Sequence, residues 1–369
     1  MYSVQAYGAM IKDSGRMQAY EEALRKVVKP GVVVADIGTG TGIAALLACK
    51  MGASRVYAID PSPAIQVARD IAKANGFSDK IIFSQELSTK VRLPEKVDVI
   101  VSDMRGVLPL AGNHIPSIID ARKRFLKPDG VQIPLEDTLF VAGLEASDIY
   151  DKVTSPWAKN DYDLDMRAVN KFATNTWGKN RAKPEQVLLE PMSLITLDYT
   201  TINQPNISQA ISWIAQRRGT LHGYQVWFDA LLTGGVTFST GPLTPELIYG
   251  TPFFPLPEAL EVEQGDLVSV VFDAKLIGDD YSWQWKTYHE RKGKVLAKFQ
   301  QSSLSGVPIS PESLRKRSDK YIPKLNEEGE LASLVLQLMS QKNTLGSIAN
   351  KLTEDYPKLF ATWEKALSY

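Results

Sequence analysis

Asp36-Ile37-Gly38-Thr39-Gly40-Thr41-Gly42 is the stretch that decides the fold. A buried strand read over 31–36, with the apolar run Val32-Val33-Val34-Ala35, leads into it, and a helix read over 42–51 leaves it. A short apolar run closed by turn residues reads as a buried strand, so this is a strand–turn–helix unit. Glycines at such a turn tolerate positive φ and let a ligand lie against the backbone. Outward from the turn, 55–60 reads as a second strand ending on Asp60, and 64–75 as a helix. Strands follow at 80–84 and 97–102. A helix at 115–126 is expected to stop at Lys127-Pro128-Asp129-Gly130, because proline and glycine punctuate helix ends. Strands alternating with helices predict a parallel α/β sheet over residues 1–134.

After Pro134 the pattern changes to an all-β one, assigned to residues 135–310. Strands are expected at 139–144, 194–199, 224–232, 266–274, 282–289 and 294–300. Ile277-Gly278-Asp279-Asp280 and Arg291-Lys292-Gly293-Lys294 read as hairpin turns. The stretch 151–191 is polar, aromatic and poorly periodic, and reads as an insertion or arm. The segment 311–369 opens with the basic connector Arg315-Lys316-Arg317 and Lys320. Helices are expected there at 331–339, 345–352 and 356–367, making a small helical or winged-helix module.

Composition excludes several classes. With 42 Lys+Arg against 42 Asp+Glu, the formal net charge is zero, which argues against bulk nucleic-acid binding. A single cysteine, Cys49, leaves no internal disulfide and fits a reducing compartment. His114, His222 and His289 are the only histidines, and no pair has metal-ligand spacing, so no metal is expected. No apolar run approaches the ~20 residues needed to span a bilayer. The first residues lack a basic segment followed by an apolar one, so a cytoplasmic location without a secretory signal is expected.

Two cofactors compete for the glycine loop. Dinucleotide sites use G-x-G-x-x-G, with the pyrophosphate at the helix N-terminus. Here the third glycine comes one residue early and Asp36 precedes the loop. A carboxylate at that place suits a cofactor carrying an ammonium and a sulfonium, which favours S-adenosylmethionine (SAM). Asp60, closing the next strand, can accept both ribose hydroxyls. The cofactor candidates are therefore Asp36, Gly38, Thr39, Gly40, Gly42 and Asp60.

From here the residues resemble a family, the protein arginine methyltransferases, over roughly 5–305. Met10-Ile11-Lys12-Asp13-Ser14-Gly15-Arg16, followed by Tyr20, is similar to that family's cofactor-covering N-terminal helix. The resemblance implies that Arg16 pairs with the SAM carboxylate and that Met10 packs near the sulfonium. Ala121-Arg122-Lys123-Arg124-Phe125-Leu126-Lys127-Pro128-Asp129-Gly130, then Ile133-Pro134, is similar to the segment leading into the family's β-barrel. Trp157, Asn160, Tyr162, Asp165 and Met166 resemble the start of its dimerisation arm, which implies a homodimer. Leu221-His222-Gly223 and Trp227-Phe228-Asp229 resemble a barrel strand. The same resemblance points to an adenine-binding residue near 86–89, giving Glu86 and Ser88 as candidates, and to Ser102 at the end of strand four.

The departures bear on the acceptor. The family clamps a guanidinium with two glutamates on the loop after strand four. Here the first is Asp103, the second falls at or near Gly112, and Arg105 adds a positive charge. The family's Thr-His-Trp loop falls near Leu247-Ile248-Tyr249, without its histidine. Asp103, Arg105 and His222 are the candidate acceptor-side residues. A guanidinium stays protonated and wants a bidentate carboxylate, whereas a side-chain amide is neutral. Two acceptors therefore stand open: an Asn or Gln amide, or an arginine in a reorganised clamp, on a protein or peptide. The product side would be S-adenosylhomocysteine (SAH). Thr344-Leu345-Gly346-Ser347-Ile348-Ala349 and Asp355-Tyr356-Pro357, with Phe360, resemble leader-peptide-binding winged-helix modules, which implies a ribosomal peptide precursor as partner. A noncatalytic SAM-binding scaffold and a small-molecule methyltransferase are the alternative functions.

Overall fold

The computed structural model describes residues 2–159 and 162–369. Asn160, one of the residues assigned to the arm, lies outside the described residues. Two compact units are present, Met1–Val307 and Pro308–Tyr369.

Two helices open the first unit. In α1 (Val4–Lys12) the Ser3 hydroxyl caps the start by accepting from the Ala6 N–H. In α2 (Ser14–Val27) the Asp13 carboxylate does the same for the Arg16 N–H. The α2 face made of Ala19, Tyr20, Ala23 and Leu24 is buried. The parallel sheet comprises β1 (Val33–Ile37), β2 (Arg55–Ile59), β3 (Ile81–Ser84), β4 (Val97–Ser102) and β5 (Leu126–Ile133). Its crossovers are α3 (Ile43–Lys50), α4 (Ala64–Ala74) and α5 (His114–Arg124).

The strand order is β3-β2-β1-β4-β5. The all-apolar character of β1, apart from Asp36, follows from its central place, where both faces are covered. The order reverses at β1, and Ile37 pairs with Ser102. The loops leaving β1 and β4 therefore start side by side, at the carboxyl-end crevice where open parallel sheets bind ligands. One expectation fails here. The Lys127–Gly130 run does not terminate a helix; α5 ends at Arg124 and the run lies inside β5. Pro128 is tolerated because β5 is an edge strand.

The all-β part holds β6 (Glu136–Leu144), β7 (Gly178–Lys179), β8 (Val187–Asp198), β9 (Ile207–Ile214) and β10 (Gly219–Thr233). It continues with β11 (Val236–Ser239), β12 (Pro252–Val262), β13 (Leu267–Ile277), β14 (Asp280–Arg291) and β15 (Lys294–Ser302). Hydrogen bonding groups these into two sheets, not one closed barrel: β7-β12-β10-β6-β8 with β11 on β10, and β15-β14-β13-β9. Aromatic side chains fill the space between the sheets. Tyr224 of β10 stacks on Trp213 of β9 and meets Phe272 of β13 edge-on. Phe254 of β12 packs on Trp283 and Trp285 of β14. The tight β14–β15 turn places Lys292 and Gly293 at positive φ, as a two-residue hairpin requires. The stretch read as an arm contains most of α6 (Ser147–Ala158), then α7 (Asn170–Ala173) and β7.

The second unit is helical: α8 (Pro311–Lys316), α9 (Glu327–Ser340), α10 (Leu345–Asp355) and α11 (Trp363–Leu367). Its core is Leu331, Ile348, Ala349, Leu352, Phe360 and Ala366. Asn326, Thr344 and Thr362 cap three of these helices with their side chains. No strand forms a wing among the described residues of this unit. The helix expected over 356–367 is reduced to α11, because Pro357 interrupts it and Phe360 turns into the core. Among the described residues, no helix is long and apolar enough to cross a membrane.

Candidate active site

A cavity of about 830 Å³ lies at the carboxyl ends of β1 and β4. Its walls come from α1, α2, the loops after β1, β2 and β4, and the 248–249 segment before β12.

One half is built by the glycine loop. Gly38, Gly40 and Gly42 all take positive φ, so the loop curls tightly at the end of β1. The approach to it is close. A Cβ on Gly38 would sit 2.7 Å from the Met104 side chain, and one on Gly40 2.6 Å from the Tyr7 ring. Asp36 is buried and braces the loop: its Oδ2 accepts from the Thr39 hydroxyl at 2.6 Å and from the Ala45 N–H at 3.0 Å. Burial pushes the Asp36 carboxyl up to about 6, against the downward pull of those two hydrogen bonds. Asp60 accepts from Gly40 N–H on Oδ2 and from Ser62 N–H on Oδ1, each at 2.8 Å. Each oxygen keeps a further lone pair for a ligand hydroxyl.

The other half is centred on Asp103, just beyond β4. Its Oδ2 accepts from Arg16 Nε and from the Tyr249 hydroxyl, both at 2.6 Å. Its Oδ1 accepts from Arg105 Nε at 3.3 Å. Burial raises the Asp103 carboxyl, but the Arg16 and Arg105 guanidinium groups outweigh it and hold the group below its ordinary value. Arg105 is wholly buried and reaches Asp137 of β6 at 2.7 Å through Nη1. Its Nη2 bonds the Tyr20 hydroxyl. Behind it Tyr199 donates to Asp137 at 2.6 Å and contacts His114 at 3.2 Å. Burial lowers His114 to about 3, so this histidine is neutral at physiological pH.

The fold brings Met10, Arg16, Asp36, Gly38, Thr39, Gly40, Asp60, Ser102, Asp103 and Arg105 onto this one cavity. Gly42 sits one step back at the N-cap of α3, where a Cβ would press on Ala68 at 2.9 Å. Three other expected site residues do not reach it either. His222 lies on β10 with Nδ1 accepting from the Ala146 N–H, beside the Tyr150 ring, so it braces the start of α6. Glu86 is exposed, bonding its neighbour's Leu87 N–H and lying near Lys90. Ser88 is buried, its carbonyl tied to Arg124. Arg105 reaches the cavity as a buried strut held between two carboxylates.

The site also contains Tyr249 and Asp137, which the sequence does not mark as candidates. Tyr249 does carry a signal, because it lies in the loop that lacks the expected histidine. Asp137 has none: it is one polar residue in a strand, and its partners come from distant elements.

The walls fit SAM. The Ser102 hydroxyl is buried, lines the cavity and has no hydrogen-bond partner, so it points to a polar ligand atom. The glycine cradle, the two carboxylates beside it and the thioethers of Met10 and Met104 match the polar and soft parts of that cofactor. Among the described residues, no group of three or more His, Cys, Asp or Glu side chains is placed to hold a metal ion.

Comparison with known proteins agrees with this division. Residues 18–134 match the family described as ribosomal protein L11 methyltransferase (PrmA). Residues 136–287 match the arginine methyltransferase oligomerization subdomain. A "Probable protein arginine N-methyltransferase 6" of Arabidopsis thaliana is 34% identical over 234 residues, spanning 61% of this chain and 54% of its own length. "Protein arginine N-methyltransferase 6" of Xenopus laevis is 30% identical over 275 residues, spanning 71% of this chain and 81% of its own. Among solved structures, the Trypanosoma brucei PRMT1 enzyme–prozyme heterotetrameric complex with AdoHcy superposes with a TM-score of 0.73. It is 23% identical and covers 80% of this chain and 96% of its own. The open conformation of Arabidopsis thaliana protein arginine methyltransferase 10 gives 0.71 at 23% identity, covering 81% and 97%. These two likenesses concern the fold.

Proposed function

Because this chain belongs to the protein arginine N-methyltransferase family, whose members are SAM-dependent methyltransferases, we propose that it transfers the methyl group of SAM to a side-chain nitrogen of a protein or peptide. The observation that carries the reading is one cavity holding both the glycine loop with its two carboxylates and, across the β1–β4 crevice, Asp103.

When bound, SAM supplies a methyl carbon whose bond to a positively charged sulfur breaks, the electron pair returning to sulfur, as the acceptor lone pair forms the new carbon–nitrogen bond. The protein's work is placement, which supplies much of the rate in such displacements. Asp60 holds the ribose hydroxyls on its free lone pairs. Asp36 and the glycine loop hold the amino-acid end, and Arg16 stands ready for its carboxylate. Asp103 accepts an N–H of the acceptor, aims its lone pair and takes the proton that the methylated nitrogen sheds. Tyr249 and Arg105 keep the Asp103 carboxylate from rotating.

The names of the relatives support arginine as the acceptor, and the absence of a carboxylate at Gly112 supports a side-chain amide. A ribosomal peptide precursor held by its leader is supported by the sequence resemblance at 344–349 and 355–360 alone, since the second unit is helical and has no wing among its described residues. The match to an oligomerization subdomain, together with the 147–173 helices, supports a homodimer.

Titration calorimetry with SAH, followed by transfer of labelled methyl to Asn-, Gln- and Arg-containing peptides, tests the proposal. SAH binding with label on a side-chain nitrogen is the expected result. SAH binding without transfer to any protein or peptide would favour the scaffold reading, and absence of SAH binding would end the cofactor assignment.

A further inference from the structure

The cavity already contains a guanidinium, and it belongs to the protein. Arg105 sits between two carboxylates, Asp137 at 2.7 Å and Asp103 at 3.3 Å. Its guanidinium carbon lies 5.3 Å from the ring centres of both Phe228 and Phe238, and 5.8 Å from that of Tyr249. Paired carboxylates and aromatic faces are what a cationic fork needs. That seat is taken, and it is closed to solvent.

The remaining capacity of Asp103 can be counted. A carboxylate offers about four lone-pair positions. Oδ2 receives two donors, Arg16 Nε and the Tyr249 hydroxyl. Oδ1 receives one, from Arg105. One position is left, on Oδ1 alone. A bidentate guanidinium needs a free position on each oxygen, so it cannot dock here. A single N–H can.

Charge points the same way. Arg16 and Arg105 balance Asp103 and Asp137, so the acceptor end carries no surplus negative charge for an incoming cation. Lys179 of β7 adds a positive group to the cavity wall. At this end only Lys179 is left without a carboxylate in that count, so a guanidinium or ammonium gains no counter-charge, whereas a primary amide is neutral and presents an N–H.

Building on the methyltransferase reading, we propose that Arg105 is a specificity-determining residue: it occupies the guanidinium seat and restricts the acceptor to a neutral primary amide, an Asn or Gln side chain. The step balances. The amide nitrogen gives its lone pair to the methyl carbon, the carbon–sulfur pair returns to sulfur, and the N–H proton passes to Asp103 Oδ1. An N-protonated amide is a far stronger acid than any carboxylic acid, so even a carboxylate held below its usual range accepts that proton.

The test uses two SAH analogues in which a tertiary nitrogen replaces sulfur and keeps the adenosine and amino-acid arms, the third substituent being a three-carbon chain that ends in a primary amide in one and a guanidinium in the other. Each is titrated calorimetrically into the full chain, with SAH as reference. The amide probe is expected to bind at least tenfold tighter than the guanidinium probe. In the paired variant Arg105→Met/Asp137→Asn, which removes the seat without leaving a buried charge, that preference is expected to vanish or reverse. Asp137→Asn alone retains Arg105 with less compensation, and there the preference is expected to grow. SAH binding with equal or tighter guanidinium binding in the wild type would overturn the inference while leaving the methyltransferase reading intact. So would an unchanged preference in a paired variant that still binds SAH. Failure of SAH itself to bind would overturn both.

Discussion

The two halves of the cavity are built in different ways. The floor of the cofactor half is local: Asp36 is braced by Thr39 and Ala45, and Asp60 by Gly40 and Ser62. The acceptor half is assembled from distant segments. Asp103 meets Arg16 across 87 positions and Tyr249 across 146, and Arg105 meets Asp137 across 32. A local site is rebuilt wherever its strand–turn–helix unit folds. A distributed site exists only when α2, β4, β6 and the 247–249 loop are all docked. Change in the acceptor half can therefore alter chemistry without touching the cofactor half.

The largest expected effect comes from breaking the distributed half at its buried pair. Arg105→Met leaves Asp137 buried without a counter-charge and should lower unfolding stability by about 3–5 kcal/mol in chemical denaturation. Adding Asp137→Asn should recover most of that loss. An equal loss in the paired variant would mean that Arg105 stabilises through packing on Phe228 and Phe238, not through charge.

Next in size, Asp103→Ala should reduce kcat by about 10²–10⁴-fold, the usual range for a positioned acid–base group. Retained turnover would remove Asp103 from the acceptor role. In the local half, Asp60→Ala should weaken SAH by roughly 10–100-fold, the worth of hydrogen bonds to a charged group. Its denaturation midpoint should stay closer to wild type than that of Arg105→Met. An Asp60→Ala protein that binds SAH normally would break the assignment of the ribose site.

The smallest effect is linked to pH. The Asp36 carboxyl lies near 6 in the folded protein because of burial, above its unfolded value. The folded state thus favours the protonated form, and the associated stability is full below about pH 4 and lost as pH rises through about 6. Asp36→Asn should therefore be more stable than wild type at pH 7.5 by roughly 1–3 kcal/mol, with the difference closing near pH 4. The same variant should bind SAH more weakly. Equal stability at both pH values would mean that the Asp36 charge is solvated through the cavity.

This contrast also explains what the sequence made legible. Gly38, Gly40, Asp36 and Asp60 could be read because glycine spacing, strand ends and the next strand's acid all lie within one βαβ unit. Alternation and turn residues likewise revealed six of the antiparallel strands. Two long ones escaped. Pro252–Val262 carries Pro252, Pro255 and Pro257, which argue against a strand, and Ile207–Ile214 mixes Ser208 and Ser212 with apolar Ala210 and Ile214 on its open face. The split into two sheets was invisible because strand pairing is a long-range property. On the acceptor side, Asp103 could be placed from its position after strand four, and the charge of Arg105 was visible. Neither the orientation of Arg105 toward Asp137 nor the part played by Tyr249 could be read, since both depend on docking between domains. His222 is a candidate through the resemblance of Leu221-His222-Gly223 to a family barrel strand, and its ring accepts from the Ala146 N–H.

The most direct test of this division is calorimetric titration of SAH into Asp103→Ala. The account predicts an affinity no weaker than wild type, because the cofactor half is complete without Asp103 and Arg16 is released from its carboxylate. A loss of SAH affinity as large as that of Asp60→Ala would contradict it, and would make the two halves a single site.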